Sequence, residues 1–177
     1  MRIIAGTHGG RRLAAPKGTA TRPTSDRVRE AVFSILAARI PGARVLDLFA
    51  GSGALGIEAL SRGAASTVFV DADPAAIRAV AANLAGITGG DAVRRDARKF
   101  LRTARENGHV YDLIFLDPPY RDGPRLGREL SEPLTGVLAP GGLVISESDR
   151  RAPIDLPHLT LDDERRYGDT LIRLHAH

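Results

Sequence analysis

The chain has 177 residues, 43% hydrophobic and 26% charged, with a formal net charge of +4. That length suits one domain with room for a small extension, and the composition excludes wholesale disorder. Cysteine is absent, which excludes disulfides, thiolate metal sites and a cysteine nucleophile.

Met1-Arg-Ile-Ile-Ala-Gly6 is too short for a signal-peptide core, and no apolar run reaches the roughly 18 residues of a membrane span, so a cytoplasmic protein is expected. Arg2–Ala5 and Arg11–Ala14 flank Gly6-Thr-His-Gly-Gly10 and predict a small hairpin. Residues 1–30 hold seven bases (Arg2, Arg11, Arg12, Lys17, Arg22, Arg27, Arg29) against two acids, net +5, whereas the remainder nets −1. A basic head on a nearly neutral body suggests a polyanion-binding arm; the plainer alternative is a solvated, arginine-biased surface. Pro16 to Pro23 is rich in turn formers and reads as a linker, so residues 1–23 are expected to form the arm and 24–177 the main domain. Thr24 or Ser25 can cap a helix whose stripe is Val28, Ala31, Val32, Ile35 and Leu36, with Arg27 and Glu30 off it and Pro41-Gly42 as its stop.

Val45–Phe49 is an apolar run broken by Asp47 and reads as a buried parallel strand. The chain turns on Gly51 and Gly53, and Ala54–Leu60 reads as a helix stopped at Arg62-Gly63. Strand, glycine turn and helix bring bare backbone close to a ligand. Gly51, Gly53 and Gly56 fit G-x-G-x-x-G, and Asp71 lies 20 residues past Gly51, where a ribose-binding acid sits in a dinucleotide fold. An ordinary tight turn would look similar. Asp47 is the discordant detail: a carboxylate there repels a pyrophosphate but suits a cationic or amino-bearing ligand. S-adenosylmethionine (SAM) carries a sulfonium, an amine, a ribose and an adenine, and no phosphate.

Thr67–Val70 is a second strand ending in Asp71. Asp73 caps the next helix with Pro74 at its first position, Ile77, Val80, Ala81 and Leu84 forming the expected buried face. Ala92–Arg95 is a weak strand running into Asp96; Ala97–Asn107 is helical with Phe100, Leu101 and Ala104 inward. Asp112–Leu116 is a strong strand delivering Asp117-Pro-Pro-Tyr120, followed by a polar helix over about 126–138 interrupted near Pro133. Gly142–Ser146 is a fifth strand, and Leu159–Arg166 with Thr170–Leu174 form a closing hairpin. Alternating strands and helices predict an α/β fold, a mostly parallel sheet with helices on both faces and ligands outside the strands' carboxyl ends. Asp47, Asp71, Asp96 and Asp117 converge on that edge. The acids and the scattered histidines show no metal-ligand spacing, so no metal is expected.

Two prolines in succession remove donors and hold the nearby carbonyls rigidly. A carboxylate, a fixed carbonyl and an aromatic ring suit a planar base bearing an exocyclic amine. The amine donates to Asp117 and to the Pro118 carbonyl while Tyr120 stacks on the ring. Acceptors on both amine hydrogens aim the nitrogen lone pair at a methyl donor. A rigid turn would explain the prolines, but not the acid and the ring together.

The segments Asp47-Leu-Phe-Ala-Gly-Ser-Gly-Ala-Leu-Gly56, Asp117-Pro-Pro-Tyr120 and Thr21-Arg-Pro-Thr24 with Asp26-Arg-Val-Arg-Glu30 resemble the RsmD family, SAM-dependent guanine-N2 methyltransferases of 16S ribosomal RNA. The likeness runs from Met1-Arg-Ile-Ile-Ala-Gly6 through Leu60-Ser-Arg-Gly-Ala64 to Tyr167-Gly-Asp-Thr170, with Ser34 a departure where asparagine is expected. The resemblance implies a Rossmann-like class I methyltransferase sheet of seven strands, the last antiparallel. It places SAM against Asp47, Phe49, Ala50, Gly51, Ser52, Gly53, Asp71, Ala72, Asp96, Ala97 and Thr24. Asp47 and the glycine turn would hold the methionine moiety, Asp71 the ribose, and Asp96 and Ala97 would lie by the adenine. Asp117, Pro118, Pro119 and Tyr120 would form the catalytic motif, and Arg2, Arg11, Arg12, Arg22 and Arg27 would contact RNA, Arg22 also lying over the site. The implied partner is 16S ribosomal RNA or the assembling small subunit, met by a monomer without membrane or metal.

Three alternatives compete. A DNA adenine-N6 or cytosine-N4 methyltransferase shares the amine chemistry but needs a target-recognition domain for which this chain has no room. An NAD-dependent oxidoreductase would use the glycines and Asp71 and leave Asp47 and Asp117-Pro-Pro-Tyr120 unexplained. A non-catalytic RNA-binding module would use the basic head alone.

Overall fold

The computed structural model describes residues 1–16, 25–119 and 122–177. Strand β1 (Arg44–Leu48) runs through the middle of one seven-stranded sheet, with β2 (Ser66–Asp71) and β4 (Tyr111–Leu116) parallel on either side. Four of its five residues are buried, which is why its sequence is apolar without alternation. β3 (Gly90–Arg94) lies outside β2; β5 (Leu138–Asp149), β7 (Thr170–Ala176) and β6 (Thr160–Tyr167) follow β4, giving the order β3-β2-β1-β4-β5-β7-β6. β7 is antiparallel to both neighbours, so it alone runs against the rest. The chain steps outward from β1 to β3 and then returns to β4 on the other side. That places a topological switch, and a crevice, at the carboxyl ends of β1 and β4.

Helices α4 (Ala97–Glu106) and α5 (Gly123–Thr135) cover one face, packing Phe100, Leu101, Leu130 and Leu134 on Leu46, Leu48, Ile114 and Val144. The other face carries α1 (Asp26–Ile35), α2 (Ala54–Ser61) and α3 (Pro74–Asn83). Ser25 caps α1 by accepting from the Val28 N–H at 3.3 Å; Asp73 caps α3 through Ala75 at 2.7 Å, ahead of Pro74. Thr24, the other proposed cap, lies outside the described residues, as do Lys17 and Arg22.

Several boundaries and faces differ from the sequence reading. α1 stops at Ile35, well before Pro41, and buries Val28, Arg29, Val32 and Phe33, while Ile35 is exposed. α3 buries Ala76, Ala79, Val80 and Asn83, an arc rotated by one residue from the expected one. α5 starts three residues early, at Gly123-Pro124, where proline's fixed φ suits a first turn. β5 begins at Leu138, because a bulge lets Leu138–Leu143 oppose only Tyr111–Leu113. Ser34 is exposed and donates to the Glu30 carbonyl one turn back at 2.9 Å.

The N-terminal segment forms a narrow hairpin, with one bridge between Arg2 and Arg12 and Ile3 donating to the Arg11 carbonyl at 2.9 Å. It is docked on the body. Ile3 and Leu13 are buried among Ile57, Leu60, Phe69 and Val80. The buried carboxylate of Glu58 accepts from the N–H groups of Ile4 and Ala5 at 2.7 and 3.0 Å. Ser61 Oγ accepts from His8 N–H and donates to the Ala5 carbonyl. A Cβ on Gly6 would fall 1.8 Å from the Ser61 carbonyl oxygen, at a φ of +85°. Arg29 is fully buried and donates to the Arg2 carbonyl and to Asp26; it therefore belongs to the docking contact and leaves the surface charge of the head. At the far edge of the sheet, β6 carries ion pairs Arg165–Asp163 and Arg166–Glu164 at 2.9 and 3.0 Å.

Among the described residues no helix is long and apolar enough to cross a membrane, and no group of three or more His, Cys, Asp or Glu is placed to hold a metal ion.

Candidate active site

The turn after β1 is made from unusual backbone. Phe49 has a φ of +62°, the one positive value at a non-glycine residue among those described, followed by Gly51 at +56° and Gly53 at +77°. Such values at a phenylalanine are costly and persist where surroundings impose them. Gly53 opens α2 with no side-chain cap, leaving the positive end of that helix facing the crevice. Gly56 answers a packing demand: a Cβ there would lie 2.3 Å from the Phe69 ring, so α2 could not close on β2.

Two aspartates hold this turn. Asp71, ending β2, accepts from the Gly51 N–H at 3.0 Å and, through its other oxygen, from Asp73 N–H at 2.9 Å. Each oxygen keeps a further lone pair for a ligand hydroxyl. Asp47 is almost wholly buried and accepts from the Gly56 N–H at 2.9 Å. Burial raises its pKa to about 7; the Gly56 hydrogen bond opposes the shift and the Asp71 charge adds to it. Asp47 is therefore part of the turn's internal bonding, which the sequence reading of a free carboxylate did not anticipate.

A cleft of about 280 Å³ opens beside the turn. Phe49, Val70, Ala97 and Leu126 give it an apolar side, while Asp71, Asp73, Asp96 and Asp122 give it an acidic one. Ala72, Arg95 and Pro119 complete the lining. Of the sequence-predicted residues, Phe49, Asp71, Ala72, Asp96, Ala97 and Pro119 meet at this cleft, whereas Asp47 lies within β1 and Ala50, Gly51, Ser52, Gly53, Asp117 and Pro118 in the segments after β1 and β4. Asp96 also caps α4, accepting from the Lys99 N–H at 3.2 Å, so its position after the weak β3 has a structural reason too.

Asp117 follows β4 directly and is half-buried, with Pro118 buried and Pro119 exposed. Its pKa is held well above the usual carboxylate range, chiefly by burial and then by the charges of Glu147 and Asp47. Leu116 pairs with Ser146 in the sheet, so Asp117 and Glu147 stand one step beyond on neighbouring strands. Glu147 is buried and the sequence reading passed over it. Its local signal is an acid just past the apolar run Leu143–Ile145, within Ser146-Glu-Ser-Asp149 of β5. Tyr120 lies outside the described residues. In the head, Arg2, Arg12 and Arg27 are exposed and Arg11 is partly so; Arg2 pairs with Asp26 at 3.6 Å.

A strained glycine turn, an uncapped helix end and an acid-lined, partly apolar cleft suit a ligand with a nucleoside and a cationic or amino tail, and suit a pyrophosphate poorly. The sequence matches the family described as Conserved hypothetical protein 95 over residues 1–176. It is 39% identical to the ribosomal RNA small subunit methyltransferase D of Escherichia coli K12, over 99% of this chain and 89% of that one. The solved structure of hypothetical protein TTHA0928 from Thermus thermophilus superposes with a TM-score of 0.87 at 34% identity, covering 100% of this chain and 99% of that one. SMU.776, solved with S-adenosylhomocysteine, shares the fold at 18% identity and a TM-score of 0.68, over 84% of this chain and 49% of that one. These matches make the fold that of a Rossmann-like methyltransferase, and the chain belongs to the RsmD family.

Proposed function

We propose that this chain transfers a methyl group from SAM to the exocyclic N2 amine of a guanine in 16S ribosomal RNA. The observation that carries the reading is Asp117: a carboxyl with raised proton affinity, held at the carboxyl end of β4 by Pro118 and Pro119, beside the cleft. SAM supplies an electrophilic methyl group when bound. Asp71 fits the ribose hydroxyls, Asp96 and Ala97 border the adenine, and the Phe49–Gly53 turn with the open end of α2 fits the methionine tail. Asp47 stiffens that turn through Gly56. The guanine amine donates to Asp117 and the Pro118 carbonyl, which turns its lone pair toward the methyl group. Methylation would leave a surplus proton on the amine, and Asp117 in its carboxylate form would take it, the burial and neighbouring acids that raise its proton affinity making it a stronger base.

The relatives named ribosomal RNA small subunit methyltransferase D support the RNA substrate, and the head, with Arg2, Arg11, Arg12 and Arg27 at the surface, supplies cations for its phosphates. The domain reading follows: residues 1–23 act as an RNA-contacting arm and 24–177 as the methyltransferase. Incubating the protein and labelled SAM with small-subunit RNA, assembled small subunits and duplex DNA, then mapping the modified atom, tests the proposal. Labelled guanine N2 is expected in the RNA-containing substrates; label on adenine N6 or cytosine N4 of DNA overturns it. Asp117→Ala should slow transfer by orders of magnitude with S-adenosylhomocysteine binding retained.

A further inference from the structure

Six of the eighteen bases outside the head stand in one short stretch. Residues 94–106 contain six bases (Arg94, Arg95, Arg98, Lys99, Arg102, Arg105) against Asp96 and Glu106, and all six are exposed. The last four lie on α4, the helix that starts at the cleft with Ala97 and runs down the sheet face opposite the docked head.

This arrangement opposes helix stability. Arg98 and Arg102 are like charges at i,i+4, and Lys99–Arg102 and Arg102–Arg105 are like charges at i,i+3; all three spacings are repulsive. Arg98 and Lys99 also sit in the first turn, where the helix dipole disfavours cations. Folding alone would have placed acids there. α5 answers part of the charge, with Glu129 on Arg98 and Glu132 on Arg105, both at 2.8 Å. Lys99 and Arg102 have no ion pair among the described residues. Between the helices runs a groove of about 330 Å³, its walls including Arg98, Lys99, Arg102, Arg105 and Glu132 over a floor at Leu101.

We propose that the α4 face is a second phosphate-contacting surface for the RNA substrate, engaging the sugar–phosphate backbone on the side of the sheet away from the head. The proposal rests on the RNA reading given above. With the head on one face, α4 on the other and Asp117 at the carboxyl edge between them, the substrate would be held on both flanks of the reacting base. Lys99 and Arg102, exposed and without ion pairs among the described residues, stand beside a groove between the paired Arg98 and Arg105 and match a polyphosphate.

The test compares the salt dependence of binding to small-subunit ribosomal RNA, measured by fluorescence anisotropy without SAM, for wild type, Lys99→Gln/Arg102→Gln and a control, Arg165→Gln/Arg166→Gln on β6. Each double variant removes two exposed charges. If both α4 residues contact phosphates, the log–log slope should become shallower by between about one and two in the α4 variant and change little in the control. Unchanged thermal unfolding and S-adenosylhomocysteine affinity would establish that the α4 variant is intact. An unchanged slope in that variant, or an equal loss in the control, overturns the proposal, the latter by showing that only net charge matters. No turnover enters these slopes, so the surface stands or falls separately from the identity of the methylated atom.

Discussion

The side-chain amide of Asn83, on α3, donates to the main-chain carbonyl of Ser52 inside the glycine turn at 2.9 Å. The same amide exchanges two hydrogen bonds with the backbone of Ala14, donating at 3.0 Å and accepting at 2.9 Å. One buried side chain thus joins the hairpin to the proposed cofactor turn. The head is mechanically continuous with the site, whereas its composition alone suggests a separable arm.

Asn83→Ala should therefore do two things. Leaving the Ser52 carbonyl and the Ala14 groups unpaired should lower stability by about 1–3 kcal/mol, read by urea unfolding. Affinity for S-adenosylhomocysteine, read by calorimetry, should fall as well. Loss of stability with unchanged affinity would show that the turn holds its shape without the head.

Gly6→Ala should displace the hairpin, because the added carbon meets the Ser61 carbonyl and the φ of +85° is left-handed. Overpacking of this kind costs about 1–3 kcal/mol, and the backbone conformation adds about 1–2 kcal/mol. Limited proteolysis should cut the variant within residues 1–16 much faster than wild type. Gly10→Ala is the comparison: its φ is also +85°, but the added carbon meets nothing within 4 Å, so it should suffer only the backbone effect.

Two buried groups should shape the pH profile of stability in opposite senses. The folded protein keeps the Asp47 proton up to about pH 7, while the unfolded chain loses it near 3.8. Between those values the folded state binds more protons, so stability falls as pH rises, by roughly 4 kcal/mol in all. His175 is buried, and burial, helped by Arg173 and opposed by Asp155, lowers its pKa from 6.5 to about 4. There the unfolded chain binds the proton first, so stability rises with pH across that window, by roughly 3 kcal/mol. Relative to wild type, Asp47→Asn should gain stability progressively from pH 4 to 7, and His175→Gln should gain it as pH falls from 6.5 to 4. Urea titrations at half-unit pH steps measure both difference curves.

Arg11→Ala/Arg12→Ala should shallow the salt dependence of RNA binding by between about one and two if both side chains contact phosphates. These are the cleaner pair in the head, since Arg2 already engages Asp26 and its carbonyl anchors Arg29. An unchanged slope would make the head a structural clasp on α2.

What could be read from sequence was what local chemistry controls. The acids at or beside the carboxyl ends of β1, β2 and β4, a cap at Thr24 or Ser25 and the Asp73-Pro74 start of α3 follow from turn and capping rules, and the strand–helix alternation yields the sheet. Arg29, Glu58, Ser61 and Asn83 escaped because their roles depend on partners 27 to 69 residues away. Each looks locally like an ordinary polar residue on a helix. The α1 arc shifted for the same reason: Arg29 faces inward because the Arg2 carbonyl is there to receive it, and no periodicity rule assigns arginine to a buried stripe. The charge on α4 was hidden by averaging, since a net of −1 over residues 31–177 conceals six bases within thirteen positions.

The ion pairs along β6 bear on how this molecule meets other chains. A sheet edge is a row of unpaired backbone groups that invites strand addition and, from there, self-association. Here one edge is β3, only five residues long. The other is β6, in which Asp162 to Arg166 are all charged and Arg165 and Arg166 lie against Asp163 and Glu164. An incoming strand would have to displace those pairs and desolvate five charges. Backbone pairing with a neighbour is therefore disfavoured at both margins, even where local protein concentration is high, and encounters are left to side chains on the helical faces and the carboxyl rim.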